Sequence, residues 1–114
     1  EGFNFGPKED AGRTVGDLIG SMQKIWTAGK IEIDPAGTQG KKEAGLLKLT
    51  CDRALLRLSW RAALAYEETV KMTVSWYQSY YQSKGDVGAA ARLTAQQISD
   101  YQRLASERGI DWAE

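Results

Sequence analysis

Lys41, Lys42 and Glu43 are the residues of this sequence whose types and spacing best suit binding chemistry. They lie in AGTQGKKEAG, residues 36–45, where three glycines and the lack of a large apolar side chain predict a loop. Two ammonium groups on a loop suit a diphosphate, and a neighbouring carboxylate suits the hydroxyl groups of a ribose or another sugar. By themselves, these residues favour the simpler interpretation of a solvated surface loop.

Two further patterns resemble catalytic arrangements, and in both the structural interpretation is preferred. Tyr80 and Lys84 have the Tyr-x-x-x-Lys spacing of a proton-transfer dyad, but they end a predicted helix, and no glycine-rich strand–turn–helix precedes them in the sequence. Lys84 also stands where a cation complements the negative end of a helix. Cys51 lies near a predicted helix N-terminus, where the pKa of a thiol falls. Because no histidine is present to activate it, we expect a small buried residue instead.

Trp76, Tyr77, Tyr80 and Tyr81 place four aromatic rings on one predicted helix. Proteins that stack single-stranded nucleic acid combine such rings with a basic groove, whereas this helix carries only two lysines. We therefore expect the rings to pack in the helix core and against a neighbouring element, and we expect no nucleic-acid partner.

The composition restricts the possible functions. Fifteen basic residues balance fifteen acidic residues, so no global field favours nucleic acid or an anionic membrane. No apolar run approaches the roughly 20 residues of a membrane-spanning helix, so no membrane partner is expected. The lack of histidine removes the commonest general base and metal ligand, and we predict no metal site. A single cysteine cannot form a disulfide within the chain, which favours a reducing compartment, the cytoplasm.

The hydrophobic pattern predicts three short strands and four helices. Strands this sparse do not make an independent sheet of the usual size. We expect them to join a sheet whose other strands lie elsewhere in a longer protein, of which this sequence, opening without methionine, is a piece. The predicted strands are residues 2–5, 30–34 and 46–50, the predicted helices begin at Thr14, Thr50, about Ala65 and Thr94, and residues 86–93 are predicted to be a linker or mobile loop.

Several sequence blocks, taken in order, resemble a known family. FNFGP lies at the start of the chain, IEIDPA precedes Lys41 and Lys42, EAGLLKLTCDRALLRLSW begins directly after them at Glu43, and ETVKMTVSWYQSYY follows. Together they resemble the C-terminal third of the sugar-nucleotide dehydratases of the extended short-chain dehydrogenase family, above all those that act on a CDP-linked sugar. The match covers about residues 2–104, and Leu-Lys-Leu-x-Cys is its most specific stretch. The matching positions of the central block are Glu43, Ala44, Leu47, Lys48, Leu49, Cys51, Ala54, Leu58 and Trp60.

Four positions depart from the family pattern. Thr50 replaces an aspartate but can still cap a helix. Ser59 replaces a glycine, so it must either adopt the backbone that glycine allowed or shift the turn. Ala62 replaces a proline. Lys42 replaces a histidine or arginine and keeps the positive charge without planar, bidentate phosphate contact, which leaves the preference for the base open.

The resemblance implies an NAD-dependent lyase as the whole protein. Such an enzyme takes a hydride from sugar C4, removes the C5 proton, expels water from C6 and returns the hydride to C6. The NAD-binding fingerprint and the catalytic residues of the family would lie in a preceding Rossmann domain, which this chain would need as its partner. We therefore expect the chain alone to bind no NAD and to be inactive.

The fold class that the resemblance implies is mixed α/β, mostly helical by residue, with the chain forming the C-terminal substrate-binding lobe. Residues 1–29 would supply a strand and a helix to the nucleotide-binding domain, residues 30–85 would form the small lobe, and residues 86–114 would form a loop and a C-terminal helix. In this lobe Lys42 would lie near the diphosphate of a nucleotide sugar, Lys41 could substitute for it, and Glu43 would contact ribose or sugar hydroxyls. The small core expected to hold these residues in place consists of Leu47, Leu49, Leu55, Leu58 and Trp60.

An alternative is a non-catalytic binding or interaction module with no substrate site of its own. It is favoured by the missing catalytic equipment and by the aromatic helix, which could dock against a partner. In either case we expect self-association of the isolated chain, through the edge of the first predicted strand or through the helix that ends at Trp26.

Overall fold

The computed structural model of this chain describes residues 1–7, 13–32 and 49–113. Within these ranges the regular structure is entirely helical, with four α-helices and a short 3₁₀ helix. The helices are α1 (Val15–Ile25), α2 (Asp52–Leu58), α3 (Tyr66–Gln82) and α4 (Val87–Glu107), followed by the 3₁₀ helix Asp111–Ala113.

The predicted strand at residues 2–5 forms no ladder in the described part of the chain. A strand needs the backbone groups of a neighbour to complete its hydrogen bonds, and the described ranges supply none. Residues 33–34 and 46–48 of the other two predicted strands lie outside the described residues, and the remainder of both is not in a strand. The mixed α/β class and the three-part division of the chain stay predictions.

Helix α1 begins where the capping pattern predicts. The hydroxyl of Thr14 accepts a hydrogen bond from the backbone N–H of Asp17 at 3.1 Å, and the Asp17 carboxylate accepts one from the backbone N–H of Thr14 at 2.8 Å. The hydrogen bond from the Thr14 backbone N–H, and then one from the Thr14 hydroxyl to the same carboxylate, lower the pKa of Asp17. Thr14 and Asp17 thus form a reciprocal capping box, and the helix start predicted at Thr14 is confirmed.

Helix α3 lies at the centre of the packing, with contacts to α1 on one side and to α4 on the other. The buried side chains of the described residues are few and mostly small, and Val74 is the one large side chain among them with almost no exposure, at 1%. A core this thin is sensitive to the loss of single methyl groups. The buried residues are Ala54, Ala63, Val70, Val74 and Ala105.

The prediction of a linker at residues 86–93 is wrong, because these residues form the first turns of α4. The Asp86 carboxylate caps the helix by accepting from the backbone N–H groups of Gly88 at 2.8 Å and Ala89 at 3.1 Å. The alanines that follow have the highest helix propensity, which outweighs the single glycine. Thr94, the predicted first cap, lies inside the helix instead, and Gly109 follows the end of the helix with a left-handed backbone at φ 59°.

Side-chain hydrogen bonds join α3 to α4 along much of their length. The indole N–H of Trp76 donates to the Thr94 hydroxyl at 2.8 Å, and the Gln97 amide donates to the backbone carbonyl of Met72 at 2.7 Å. The expectation that the aromatic helix packs against a neighbouring element is confirmed for Trp76.

Arg108, which follows the C-terminal end of α4, binds Glu68 in the first turn of α3. Its guanidinium donates to both carboxylate oxygens of Glu68, at 2.6 and 2.8 Å, and to the backbone carbonyl of Ala63. Glu68 also accepts from the backbone N–H of Ala65 at 2.8 Å. The hydrogen bonds from Arg108, and then the one from Ala65, lower the pKa of Glu68 to about 2.

Candidate functional site

Lys41, Lys42 and Glu43, the residues predicted to bind substrate, lie outside the described residues. The described chain resumes at Leu49 and leads directly into α2. The predicted roles of the three residues stay predictions, and the site geometry described below concerns the elements that follow them in the sequence.

A shallow cavity of about 240 Å³ lies beside α2, and we refer to it as the α2 cavity. Three separate stretches of sequence form its wall: the end of the N-terminal segment, the start and middle of α2, and the residues after α2. Its surface is mainly apolar, with two charged side chains among the lining residues. The lining residues are Gly6, Pro7, Cys51, Asp52, Leu55, Trp60, Arg61 and Ala62.

Hydrogen bonds hold the N-terminal segment against α2. The Arg53 guanidinium donates to the backbone carbonyl of Gly2 at 3.2 Å, and the Asn4 amide donates to the backbone carbonyl of Thr50 at 3.3 Å. These contacts bridge residues about fifty positions apart in the sequence, so they fix one wall of the cavity relative to another.

Aromatic packing completes this wall. The rings of Phe5 and Trp60 meet edge to face, with 4.9 Å between centroids and an angle of 82°, an arrangement that aromatic pairs prefer. Gly6 lies so close to α2 that a methyl group on it would be 3.3 Å from the Cys51 sulfur. An alanine at position 6 would therefore require the Cys51 side chain or the segment itself to shift by a few tenths of an ångström.

Cys51 is the residue that precedes α2, and its thiol is free and half-buried. It takes the N-cap position that the sequence assigned to Thr50, although the Thr50 hydroxyl still accepts from the backbone N–H of Asp52 at 3.3 Å. Cys51 is thus a wall residue with partial exposure, where the sequence predicted burial.

Ser59 ends α2 in the left-handed conformation, at φ 52° and ψ 20°. Serine therefore adopts a left-handed backbone that glycine would take more easily. The backbone N–H of Trp60 then donates to the carbonyl of Ala54 at 3.2 Å, and Ala54 is completely buried beneath this turn. The turn at Ser59 thus sets the position of the Trp60 ring in the cavity wall.

The predicted leucine core is wrong for the described residues. Leu49 is 66% exposed, Leu55 39% and Leu58 46%, while Trp60 is half-buried against Phe5. Helix α2 has only two turns, and it is Ala54 that faces inward. The apolar pattern identifies side chains that are typically buried, but it does not show which element packs against them. Leu47 lies outside the described residues.

Two charged residues among those that line the cavity, Asp52 and Arg61, are exposed, and their side chains make no hydrogen bond or ion pair within the described part of the chain. By contrast, Arg53 and Arg108 are both engaged, with a backbone carbonyl and with Glu68 respectively. The mainly apolar surface of the cavity suits a small apolar or planar group. Sequence reasoning did not identify Asp52 and Arg61 as residues that line a cavity, because their spacing carries no motif.

The Tyr80–Lys84 pair does not lie on a continuous helix. Helix α3 ends at Gln82, and Lys84 has a left-handed backbone at φ 55°. The Tyr80 ring stacks on Trp76 with 5.4 Å between centroids, and its hydroxyl lies against Gly85. This geometry favours the structural interpretation of both residues.

Neither a metal centre nor a membrane span emerges from the described residues. Their histidine-free set of carboxylates and one thiol includes no group of three that could hold a metal ion. Of the described helices, none has the length and apolar character needed to cross a bilayer.

The chain is similar to the CDP-glucose 4,6-dehydratase of Salmonella typhimurium strain LT2, with 29% identity over 106 residues. The alignment covers 89% of this chain and 27% of that enzyme. The chain thus spans about a quarter of the length of the curated relative it matches. No family model and no solved structure matches the chain. The similarity indicates a distant, family-level relation to a sugar-nucleotide dehydratase, the family to which the sequence blocks also point.

Proposed function

We propose that this chain is the C-terminal, substrate-binding part of an NAD-dependent sugar-nucleotide 4,6-dehydratase, and that its nucleotide sugar is CDP-glucose. The observation that carries the proposal is the similarity to a CDP-glucose 4,6-dehydratase along 89% of the chain. The order of the sequence blocks, from FNFGP to the aromatic helix, supports the same assignment.

The residues of this chain do not fit NAD. The sequence contains no G-x-G-x-x-G stretch, and the described ranges contain no strand followed by a glycine-rich turn and a helix, which is the unit that binds a dinucleotide. We assign NAD and the hydride transfer to the rest of the protein. The chain itself contributes binding and orientation of the sugar nucleotide.

In this proposal Lys42 holds the diphosphate, Lys41 can replace it, and Glu43 contacts the hydroxyl groups of the ribose or the hexose. The packed helices α1, α3 and α4 provide the scaffold. Binding energy from the nucleotide, remote from the reacting carbons, would be used to position the hexose for dehydration.

Calorimetric titration of the chain with CDP-glucose, UDP-glucose and GDP-glucose tests the proposal. We expect CDP-glucose to bind, and we expect Lys42→Ala to weaken binding about tenfold or more, because a hydrogen bond to a charged group contributes roughly 1.5–3 kcal/mol. Lys71→Ala is the matched control, since Lys71 is exposed on α3, and its affinity should be unchanged. With NAD added, the chain alone should produce no 4-keto-6-deoxy sugar.

A second candidate is a non-catalytic interaction module, and exposed apolar side chains favour it. Leu56 is 81% exposed, Val87 77% and Leu49 66%, on a chain that buries few large residues within its described part. Light scattering after size exclusion measures self-association. A chain that associates with itself and ignores all three nucleotide sugars would support the interaction module against the dehydratase.

A further inference from the structure

We propose that residues 108–112, which follow α4, act as a strap that fixes the shape of the α2 cavity. We refer to them as the C-terminal strap. Two of its side chains, Arg108 and Trp112, each donate a hydrogen bond to the backbone of residues 60–63, which lie between α2 and α3 and supply part of the cavity wall. The inference concerns the conformation of the cavity, so it is independent of the ligand that the chain binds and of the proposed function.

A glycine turn directs the strap away from the axis of α4. Gly109 has a left-handed backbone, and the N–H groups of Gly109 and Ile110 donate to carbonyls in the last turns of α4 at 2.9 and 3.1 Å. This is the arrangement by which a left-handed glycine ends a helix. The turn allows Trp112 to pack against the helix that precedes it, where its ring stacks on Tyr101 with 5.5 Å between centroids and an angle of 14°.

The strap contacts the cavity segment at two points. The indole N–H of Trp112 donates to the backbone carbonyl of Arg61 at 3.1 Å, and the Arg108 guanidinium donates to the backbone carbonyl of Ala63. Ala63 is 4% exposed, so its carbonyl has little access to water as a substitute donor. Because both acceptors are backbone carbonyls, the strap positions the main chain of the segment.

Arg108 is itself held in one orientation. Its guanidinium donates to both carboxylate oxygens of Glu68, at 2.6 and 2.8 Å, and a bidentate pair of this kind fixes geometry better than a single hydrogen bond. Glu68 in turn accepts from the backbone N–H of Ala65 at 2.8 Å. The strap, the start of α3 and the cavity segment are therefore joined in one network.

Release of the strap should loosen the cavity. Trp60, Arg61 and Ala62 line it together with Cys51, whose thiol is half-buried. The backbone N–H of Trp60 also donates to the carbonyl of Ala54 at 3.2 Å, across the turn that ends α2. We expect this turn to open more often without the strap, and we expect the thiol to become more accessible as it opens.

Trp112→Phe tests the proposal, because it keeps an aromatic ring against Tyr101 and removes the indole donor. Hydrogen exchange measured by NMR should be about three- to tenfold faster at the Trp60 backbone N–H, the factor expected from the net contribution of one hydrogen bond. The Trp26 backbone N–H, at the end of α1, should exchange at its unmodified rate. Circular dichroism should show unchanged helical content.

The thiol of Cys51, the one cysteine of the sequence, provides a second readout. Its reaction with dithiobis(nitrobenzoate) should be faster in Trp112→Phe. Arg108→Lys, which keeps the charge without the bidentate geometry, should also accelerate both readouts. Arg103→Gln is the matched control, since the Arg103 guanidinium pairs with Glu107 at 2.7 Å within α4, and it should change neither rate.

Two results would overturn the proposal. Unmodified rates at Trp60 and Cys51 in Trp112→Phe would show that the strap does not restrain the cavity. Equal acceleration in Val74→Ala, which weakens the core far from the strap, would show that the strap contacts act only through the overall stability of the chain. We expect Val74→Ala to leave the exchange at Trp60 nearly unchanged, because opening of this turn is local.

Discussion

Ser59→Gly should stabilise the chain, because Ser59 has a backbone that glycine adopts without strain. At φ 52° and ψ 20°, a residue with a side chain costs roughly 1–2 kcal/mol relative to the right-handed conformation. Glycine avoids this cost but gains freedom in the unfolded chain, which offsets about 0.4–1 kcal/mol. The net expectation is a free energy of unfolding higher by about 0.5–1 kcal/mol.

Ser83→Gly is the matched control, since it makes the same substitution at the C-cap of another helix. Ser83 has an ordinary backbone at φ −80°, and its hydroxyl donates to the carbonyl of Tyr80 at 3.0 Å. Here glycine relieves no strain and removes a hydrogen bond, so the free energy of unfolding should fall by about 0.5–1 kcal/mol. The two substitutions are thus expected to have opposite signs.

Urea denaturation followed by circular dichroism measures both variants against the unmodified chain. Glycine can adopt the same left-handed turn that sets the position of Trp60. The affinity for CDP-glucose should therefore be unchanged in Ser59→Gly. Equal destabilisation by both substitutions would refute the reasoning, since it would mean that the left-handed backbone at Ser59 imposes no strain.

Three further predictions concern the helical scaffold. Val74→Ala should lower the free energy of unfolding by about 2 kcal/mol, from two lost methyl groups and the cavity they leave, while Val87→Ala, at a 77% exposed position, should leave it nearly unchanged in the same urea titration. Glu68→Gln should flatten the acid limb of a pH titration of stability. The folded-state pKa of Glu68 lies at about 2, below its usual 4.5, so its contribution is present above about pH 4.5 and is lost as the pH falls towards 2; an acid limb identical to that of the unmodified chain would contradict this. Asp86→Ala removes the cap of α4 and should cost about 1 kcal/mol, measurable as a lower Tm with reduced helical signal, and an unchanged Tm would show that the cap is dispensable.

Local chemistry made some helix ends predictable from the sequence. Thr14 and Asp17 form a capping box because both partners lie within one turn, and Gly109 follows α4 because glycine adopts a left-handed backbone without strain. The start of α4 at Asp86 was not predicted, because an aspartate and a glycine close together are typical of a turn, whereas the alanine run after them favours a helix.

Burial was much harder to predict, because it depends on which elements meet. Leu55 and Leu58 have the spacing of core residues, yet both are exposed, and the small residue Ala54 is the one that faces inward. The α2 cavity was not predictable for a related reason. Its wall joins Pro7 to Asp52 and Arg61, and no spacing rule relates positions so far apart in the sequence.

Titration of the unmodified chain with CDP-glucose and UDP-glucose tests the central claim most directly. The account predicts saturable binding of CDP-glucose, weaker binding of UDP-glucose, and a loss of affinity on Lys42→Ala that Lys71→Ala does not reproduce. A well-folded chain that takes up neither nucleotide sugar would contradict the account.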